Sequence, residues 1–415
     1  MNHVPRQPGW ADVGLNGVSI GALLHCDGQA PSIGELRSLV AGRHGATATL
    51  STILDVQGPR WVRRSPDIDR QVREQVLPGD ADPGAAAVAA QHEPYLPDMP
   101  PWELRLLRRE GRPGYAVFYR ASHGVQDFGA IARVLELLFA ETPPDAAGSA
   151  AVVPSLATPV PPTLGERLSA ARMQHRSIRR SGIWPPKQYG YGYDQAHHWT
   201  TVPSAVVRAV ARAYGGSGND VYVSAVMSAV SDWWAQQLPG ESLSPTDVLV
   251  AVNIRAPGEA EVPGNLVTMA GISLPPGSWQ ERMAAMVAAT AVLRSPGHRE
   301  AMRQRALERS EWLADLAAEW GQRPQGEVAT SHFVLRAPLL IGADPVVAMD
   351  PVTFLPPGNP VATLSLSYRG RTSVQFVTDN ALPGMDTLAE RWAAGVQDLA
   401  AGLPESTGAG QPADR

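Results

Sequence analysis

GYAVFYRASHGVQDFGAIARVLELLF, residues 114–139, is the stretch on which the reading of the fold turns. Tyr115 to Ser122 is a run rich in aromatic side chains, the composition of a strand. From Phe128 the spacing changes. Phe128, Ile131, Val134, Leu135, Leu138 and Phe139 recur every three or four residues, which marks a helix. His123 therefore stands at a strand-to-helix corner, where a side chain projects beyond a sheet edge and within a substrate's reach. Asp127, four residues on, is placed to cap the helix, and its carboxylate needs a partner if it is buried. Of the ten histidines, His123 alone has an aspartate four residues later. The motif is short, and by itself it fits a structural histidine as well as a catalytic one.

The elements on either side are mixed. Ser32 followed by Glu35 forms a capping box, and Leu36, Leu39 and Val40 give the helix behind it an apolar face that ends at Gly42 and Gly45. Ala46 to Leu54 alternates as a strand, and Arg60 to Pro94 holds a further strand and an Ala-rich helix. Glu141 to Pro162 is rich in Pro, Ala, Thr and Ser without periodicity, as a linker is. Beyond it, Asn219 and Asp220 open a helix with apolar positions Val221, Ala225, Val226, Ala229, Val230 and Trp233. Strands are expected at 247–255 and 265–275, one long helical stretch at 279–322, then strands at 327–336 and 346–354. Val361–Tyr368 and Thr372–Thr378 flank a turn at Arg369-Gly370 as a hairpin. Leu388, Trp392, Val396, Leu399 and Leu403 trace one face of a closing helix. The pattern predicts an α+β protein of two lobes, 1–150 and 166–403, joined by a linker at 151–165 and followed by a disordered tail at 404–415.

Composition narrows the function. A chain of 415 residues with 44% hydrophobic and 18% charged side chains can bury a sizeable core. A net charge of −5 gives no general attraction for nucleic acid. Cys26 is the only cysteine, so no intramolecular disulfide can form, and a reducing, cytoplasmic setting is expected. The N-terminus lacks an apolar signal core, and no apolar run is long enough to span a membrane. P-loop, GxGxxG, HExxH and GxSxG motifs are absent, as is any repeat. The adjacent His197 and His198 lack a third ligand at metal spacing, so neither a metal nor a bound cofactor is expected.

Several blocks in order carry a resemblance. They are PPWELRLL at 100–107, SHGVQD at 122–127, NDVYVSAV at 219–226, VNIRAPGEA at 252–260, GNLVT at 264–268 and SYRGRTSVQFVTDNALPGMDTLAERW at 367–392. Together they resemble, nearly end to end, the wax ester synthase/diacylglycerol acyltransferase family. That family belongs to a superfamily shared with chloramphenicol acetyltransferase and peptide-synthetase condensation domains. The resemblance implies two chloramphenicol-acetyltransferase-like lobes meeting in a V with a central tunnel, and a family motif HHxxxDG at its centre. Carried over, the second histidine is His123 and the aspartate is Asp127, which pairs with an arginine for which Arg255 is the candidate. Ser122 and Gln126 flank the corner, while Asn219 and Asn265 are cleft or lobe-orienting candidates. The chain departs from the pattern in Ser122 for the first histidine and in Phe128 for the glycine. It departs again at Thr330-Ser331-His332-Phe333, where relatives tend to carry Asn-Val-Pro-Gly. His332 thereby becomes a candidate cleft residue, and the acceptor a specialised, more polar metabolite.

The implied chemistry is acyl transfer from an acyl-CoA thioester to a small-molecule hydroxyl or amine, with His123 as general base and no covalent acyl-enzyme. Two alternatives stay open. One is a condensation-like enzyme that draws its acyl group from an acyl carrier protein. The other is a catalytically inactive binding member of the fold.

Overall fold

The computed structural model describes residues 18–55, 60–142, 161–178, 194–237, 247–307, 328–356 and 359–403. In chain order the strands and helices are β1 (Ser19–Cys26), α1 (Ile33–Arg43), β2 (Thr52–Asp55), β3 (Arg60–Arg63), α2 (Ile68–Gln71), β4 (Val72–Leu77) and α3 (Pro83–Gln91). Next come β5 (Trp102–Arg109), β6 (Tyr115–Ser122), α4 (Phe128–Phe139), α5 (Leu164–Ile178), β7 (Gln195–Pro203), α6 (Ser204–Ala213) and α7 (Gly218–Gln237). The chain continues through β8 (Asp247–Asn253), β9 (Val267–Ser273), α8 (Trp279–Ala291), α9 (Pro296–Leu307) and β10 (Val328–Val334). It closes with β11 (Leu340–Ile341), β12 (Asp344–Val352), β13 (Val361–Tyr368), β14 (Arg371–Asp379) and α10 (Leu388–Ala401).

Two six-stranded sheets organise these elements, in the orders β11-β12-β1-β6-β5-β4 and β7-β14-β13-β10-β8-β9. The first core packs α1 and α4 on the first sheet, with Leu364, Leu366 and Tyr368 of β13 closing it from the second sheet. The opposite face of the second sheet buries Val361, Val374 and Phe376 against α6, α7, α8 and α10. α3 covers the outer face of the first sheet through Ala87 and Ala90. Ser32 caps α1 reciprocally with Glu35. The β13–β14 hairpin turns on Arg369 and Gly370, both at positive φ, which is the two-residue turn whose twist matches its strands.

Three expectations are corrected. Ala46–Leu54 is strand only from Thr52. Before that, the Thr47 hydroxyl accepts the Thr49 amide at 3.2 Å and Thr52 donates to the Ala48 carbonyl at 2.6 Å, local bonds that hold tight helical turns instead. The stretch from Trp279 is two helices rather than one. Pro296 forces Ser295 out of helical geometry, to ψ 125°, so α9 restarts there; residues 308–322 lie outside the described residues. The first sheet is not built from the N-terminal half alone, because β11 and β12 pair into it, β12 antiparallel to β1. The lobe boundary is therefore crossed at residues 340–352. β12 also touches the second sheet, where Ser373 donates to Asp350 at 2.5 Å and Trp199 to the Pro351 carbonyl at 2.8 Å. Most of the expected linker, and the expected tail, lie outside the described residues.

Trp392 of α10 is fully buried, and its indole donates to the Tyr222 carbonyl of α7 at 3.2 Å. Trp392→Ala is expected to destabilise the protein by about 3–5 kcal/mol in urea denaturation, as cavities left by large aromatics do. A loss below about 1 kcal/mol would contradict this packing.

Candidate active site

β6 ends where the Ser122 carbonyl accepts the amides of both Val125 and Gln126 at 2.9 Å, which bends the chain out of the sheet. Asp127 then starts α4, its carboxylate accepting the Ala130 amide at 2.8 Å. Between these fixed points the His123 ring hydrogen-bonds through Nδ1 to the Gln126 carbonyl at 3.3 Å. A carbonyl can only accept, so Nδ1 carries the proton and Nε2 is the basic nitrogen. The imidazole is half-buried rather than projecting into solvent as the corner alone suggested. Burial lowers its pKa from the ordinary 6.5, and the weaker pull of Asp127 does not reverse that.

Two candidates sit elsewhere than expected. The Gln126 side chain is buried, accepting from the Tyr119 hydroxyl at 2.9 Å, and it is the backbone of Gln126 that serves the site. Ser122 is buried at the end of β6 opposite Ser19 and does not line the cavity described below, so it does not set polarity there. Alternation along β6 puts Ser122 on the same face as Ala116 and Phe118, which α3 covers, rather than on the face of Tyr119 and Ala121.

Asp127 turns away from the cavity toward Arg255, which follows β8. Asp127 Oδ2 accepts from Arg255 Nη2 at 2.7 Å and Nε at 3.0 Å, and from the Leu266 amide at 2.9 Å. The two side chains are 1% and 6% exposed, so this ion pair is buried. Arg255 also donates to the carbonyls of Glu259, Val262 and Gly264 at 2.6–2.8 Å, which uses all of its N–H groups. Residues 255–266 are thus drawn over the corner as a strap. The Gly264 amide donates to the Val125 carbonyl at 2.7 Å, at a φ of +118° that favours glycine. Arg133 of α4 pairs with Glu261 at 2.9 Å, and Glu259 with Arg303 at 2.6 Å.

Above the corner lies a cavity of about 260 Å³, into which His123 and Phe128 face from the first sheet's side. β8 and β10 pair only at Val328–Thr330, then part, and the cavity occupies the fork. Asn265 lines it and is buried. Asn219 is half-buried in the first turn of α7 and is not part of the lining. His332 is part of it. Its Nδ1 lies 3.1 Å from the Ser365 hydroxyl, its ring is 5.9 Å from that of Tyr222, and burial pushes its pKa down to about 4. Among the described residues the lining holds no Asp, Glu, Lys or Arg.

Sequence reasoning did not find Phe354, which meets the His123 ring edge-on at 6.0 Å, or Phe333, which packs on Phe128 at 5.5 Å. A lone aromatic in a strand gives no signal of its partner. The Arg133–Glu261 pair was equally silent, since its members are 128 residues apart. His197 and His198 lie on β7 away from the cavity, His197 accepting from Gln375 at 3.1 Å. Among the described residues no three potential ligands gather as a metal site.

No protein-family model matches the chain, and no curated protein matches it by sequence. Solved structures do match in fold. The wax ester synthase/diacylglycerol acyltransferase from Marinobacter aquaeolei VT8 superposes with a TM-score of 0.59 at 18% identity, over 92% of this chain and 94% of its own. The first condensation domain of the CDA synthetase gives 0.61 at 14% identity, over 95% and 92%. A variant of the starter condensation domain of rhizomide synthetase, in complex with C8-CoA, gives 0.62 at 14% identity, over 94% and 92%. The chain has the chloramphenicol-acetyltransferase-like fold that these proteins share.

Asp127→Ala and Arg255→Ala should each cost about 3–5 kcal/mol, because each strands a buried charge. The double variant should lose less than the sum of the two, by a coupling of about 0.5–3 kcal/mol in chemical denaturation. Recovery will be partial, since the three carbonyls held by Arg255 lose their donor in either case. Strict additivity would contradict the pair.

Proposed function

We propose that this protein transfers an acyl group from an acyl-CoA thioester to a hydroxyl or amine acceptor, with His123 as general base and no covalent acyl-enzyme. The observation that carries the reading is the bond from His123 Nδ1 to the Gln126 carbonyl, which leaves Nε2 as the basic nitrogen of a neutral imidazole that lines the cavity. The donor assignment draws on the C8-CoA complex of the rhizomide synthetase domain, which has the same fold. No helix of the described residues is long and apolar enough to cross a membrane.

His123 Nε2 accepts the acceptor's proton as its oxygen or nitrogen bonds to the thioester carbonyl carbon. The tetrahedral adduct then collapses, the C–S bond breaks, and the thiolate leaves with the proton from Nε2. The imidazole ends neutral, ready for another cycle. Asp127 takes no proton in this scheme, because its oxygens are occupied by Arg255 and by two backbone amides. Holding both substrates in one chamber makes their encounter effectively unimolecular.

His123→Ala should cut thiol release from octanoyl-CoA by about 10²–10⁴-fold, the range of a lost general base, with an unchanged melting curve. Undiminished turnover would overturn the mechanism. The pH profile gives an independent check. Burial disfavours the imidazolium, so the active neutral form persists below the ordinary 6.5 and kcat/KM should fall only as pH drops through a lower midpoint. An acid limb centred above 6.5 would contradict the assignment.

A further inference from the structure

We infer that the chamber accepts an uncharged hydroxyl compound whose second hydroxyl or carbonyl group is held by His332, an inference that rests on acyl transfer at His123. Both histidines line the same cavity, His123 from the first sheet and His332 from β10 in the second. His332 lies past Thr330, where β10 has left β8, so its ring borders the fork rather than a continuous sheet.

The ring is held in place on one side. Ser365 binds Nδ1 at 3.1 Å, and the Tyr222 ring lies against it at 5.9 Å. Tyr222 is fixed in turn by a hydrogen bond of 2.5 Å to Thr363 and by Trp392, 6.4 Å away. Nε2 faces the start of α7 at Gly218, where a Cβ would stand 3.9 Å away and the glycine leaves that space open. An oriented imidazole with one nitrogen engaged presents the other as a single hydrogen-bonding group of fixed direction.

Charge sets the class of acceptor. The buried carboxylate that acts on His332, Asp220, is turned to Ser217, Thr290 and Arg294 and is not part of the lining. Among the described residues the lining offers only neutral polar groups and apolar surface. A carboxylate or ammonium group entering it would shed its water without a counter-charge, a cost a neutral hydroxyl avoids. A plain alkyl alcohol would enter, but would leave His332 desolvated and unpaired. A neutral acceptor with a second polar group satisfies both conditions.

The test uses octanoyl-CoA with three acceptors of equal chain length: a vicinal hexanediol, hexanol and a hydroxyhexanoate. In the wild-type protein kcat/KM for the diol should exceed that for hexanol by about ten-fold, as one hydrogen bond against an unpaired buried group allows, and the hydroxyhexanoate should be poorest. His332→Phe should collapse the diol-to-hexanol ratio towards one, mainly through KM for the diol. His332→Gln, which keeps a donor and an acceptor, should restore much of it. Equal use of diol and hexanol by the wild type, a preference for the hydroxyhexanoate, or a ratio unmoved by His332→Phe would each overturn the inference while leaving acyl transfer at His123 standing. The wild-type panel decides even if a variant fails to fold. If no acceptor supports His123-dependent release of CoA, the parent reading falls and takes this one with it.

Discussion

A buried ion pair joins the two halves of this molecule, and the site depends on it. Asp127 caps the helix that leaves the His123 corner, and Arg255 brings to it a segment from the second sheet. Neither charge could be buried alone, since an unpaired ion in a protein interior costs several kcal/mol. Here the cost is offset by many hydrogen bonds at once. The carboxylate accepts from two backbone amides as well as from the guanidinium, and Arg255 gathers three carbonyls of its own strap. The geometry of the corner is thus fixed from outside the cavity, by groups that never meet a substrate.

The same arrangement turns the Asp127 charge away from the chamber. Asp127 belongs to the His123 corner in sequence but turns to Arg255, and desolvation outweighs its pull on His123. Desolvation then governs both lining histidines and lowers both pKa values. A neutral imidazole is what a general base needs near pH 7, and a neutral wall is what a nucleophile needs if it is not to be held as an ion. In the proposed reaction, a general base that stays neutral and an uncharged acceptor both follow from one physical circumstance: among the described residues the cavity is lined by uncharged groups, while the ion pairs lie in the strap.

Much of this could be read from the chain because the signals were local. The change from aromatic strand to three-and-four spacing located β6 and α4 to the residue, and Ser32 with Glu35 located the start of α1. What escaped was long-range or decided by a single side chain. Nothing in residues 340–352 says that they join β1 rather than the strands near them in sequence, because strand pairing is fixed by tertiary contacts. Pro296 carries a local break signal, since it forces the preceding residue out of helical geometry, and the expectation of one stretch at 279–322 did not use it. At the site, Ser122 and His332 were both noticed as unusual, yet only His332 borders the cavity. Alternation along β6 could have separated them, since Ser122 shares the face of Ala116 and Phe118 under α3, while His332 stands on a strand that has left its neighbour and borders the fork.

The central claim is that the fold delivers His123 as a neutral ring with its proton on Nδ1. Nitrogen NMR of histidine-labelled protein measures this directly, with the His123 signals assigned by their loss in His123→Gln. The account predicts an Nδ1-protonated, uncharged ring at pH 6.5, where an ordinary histidine is half protonated. A ring protonated on Nε2, or an imidazolium at that pH, would contradict it.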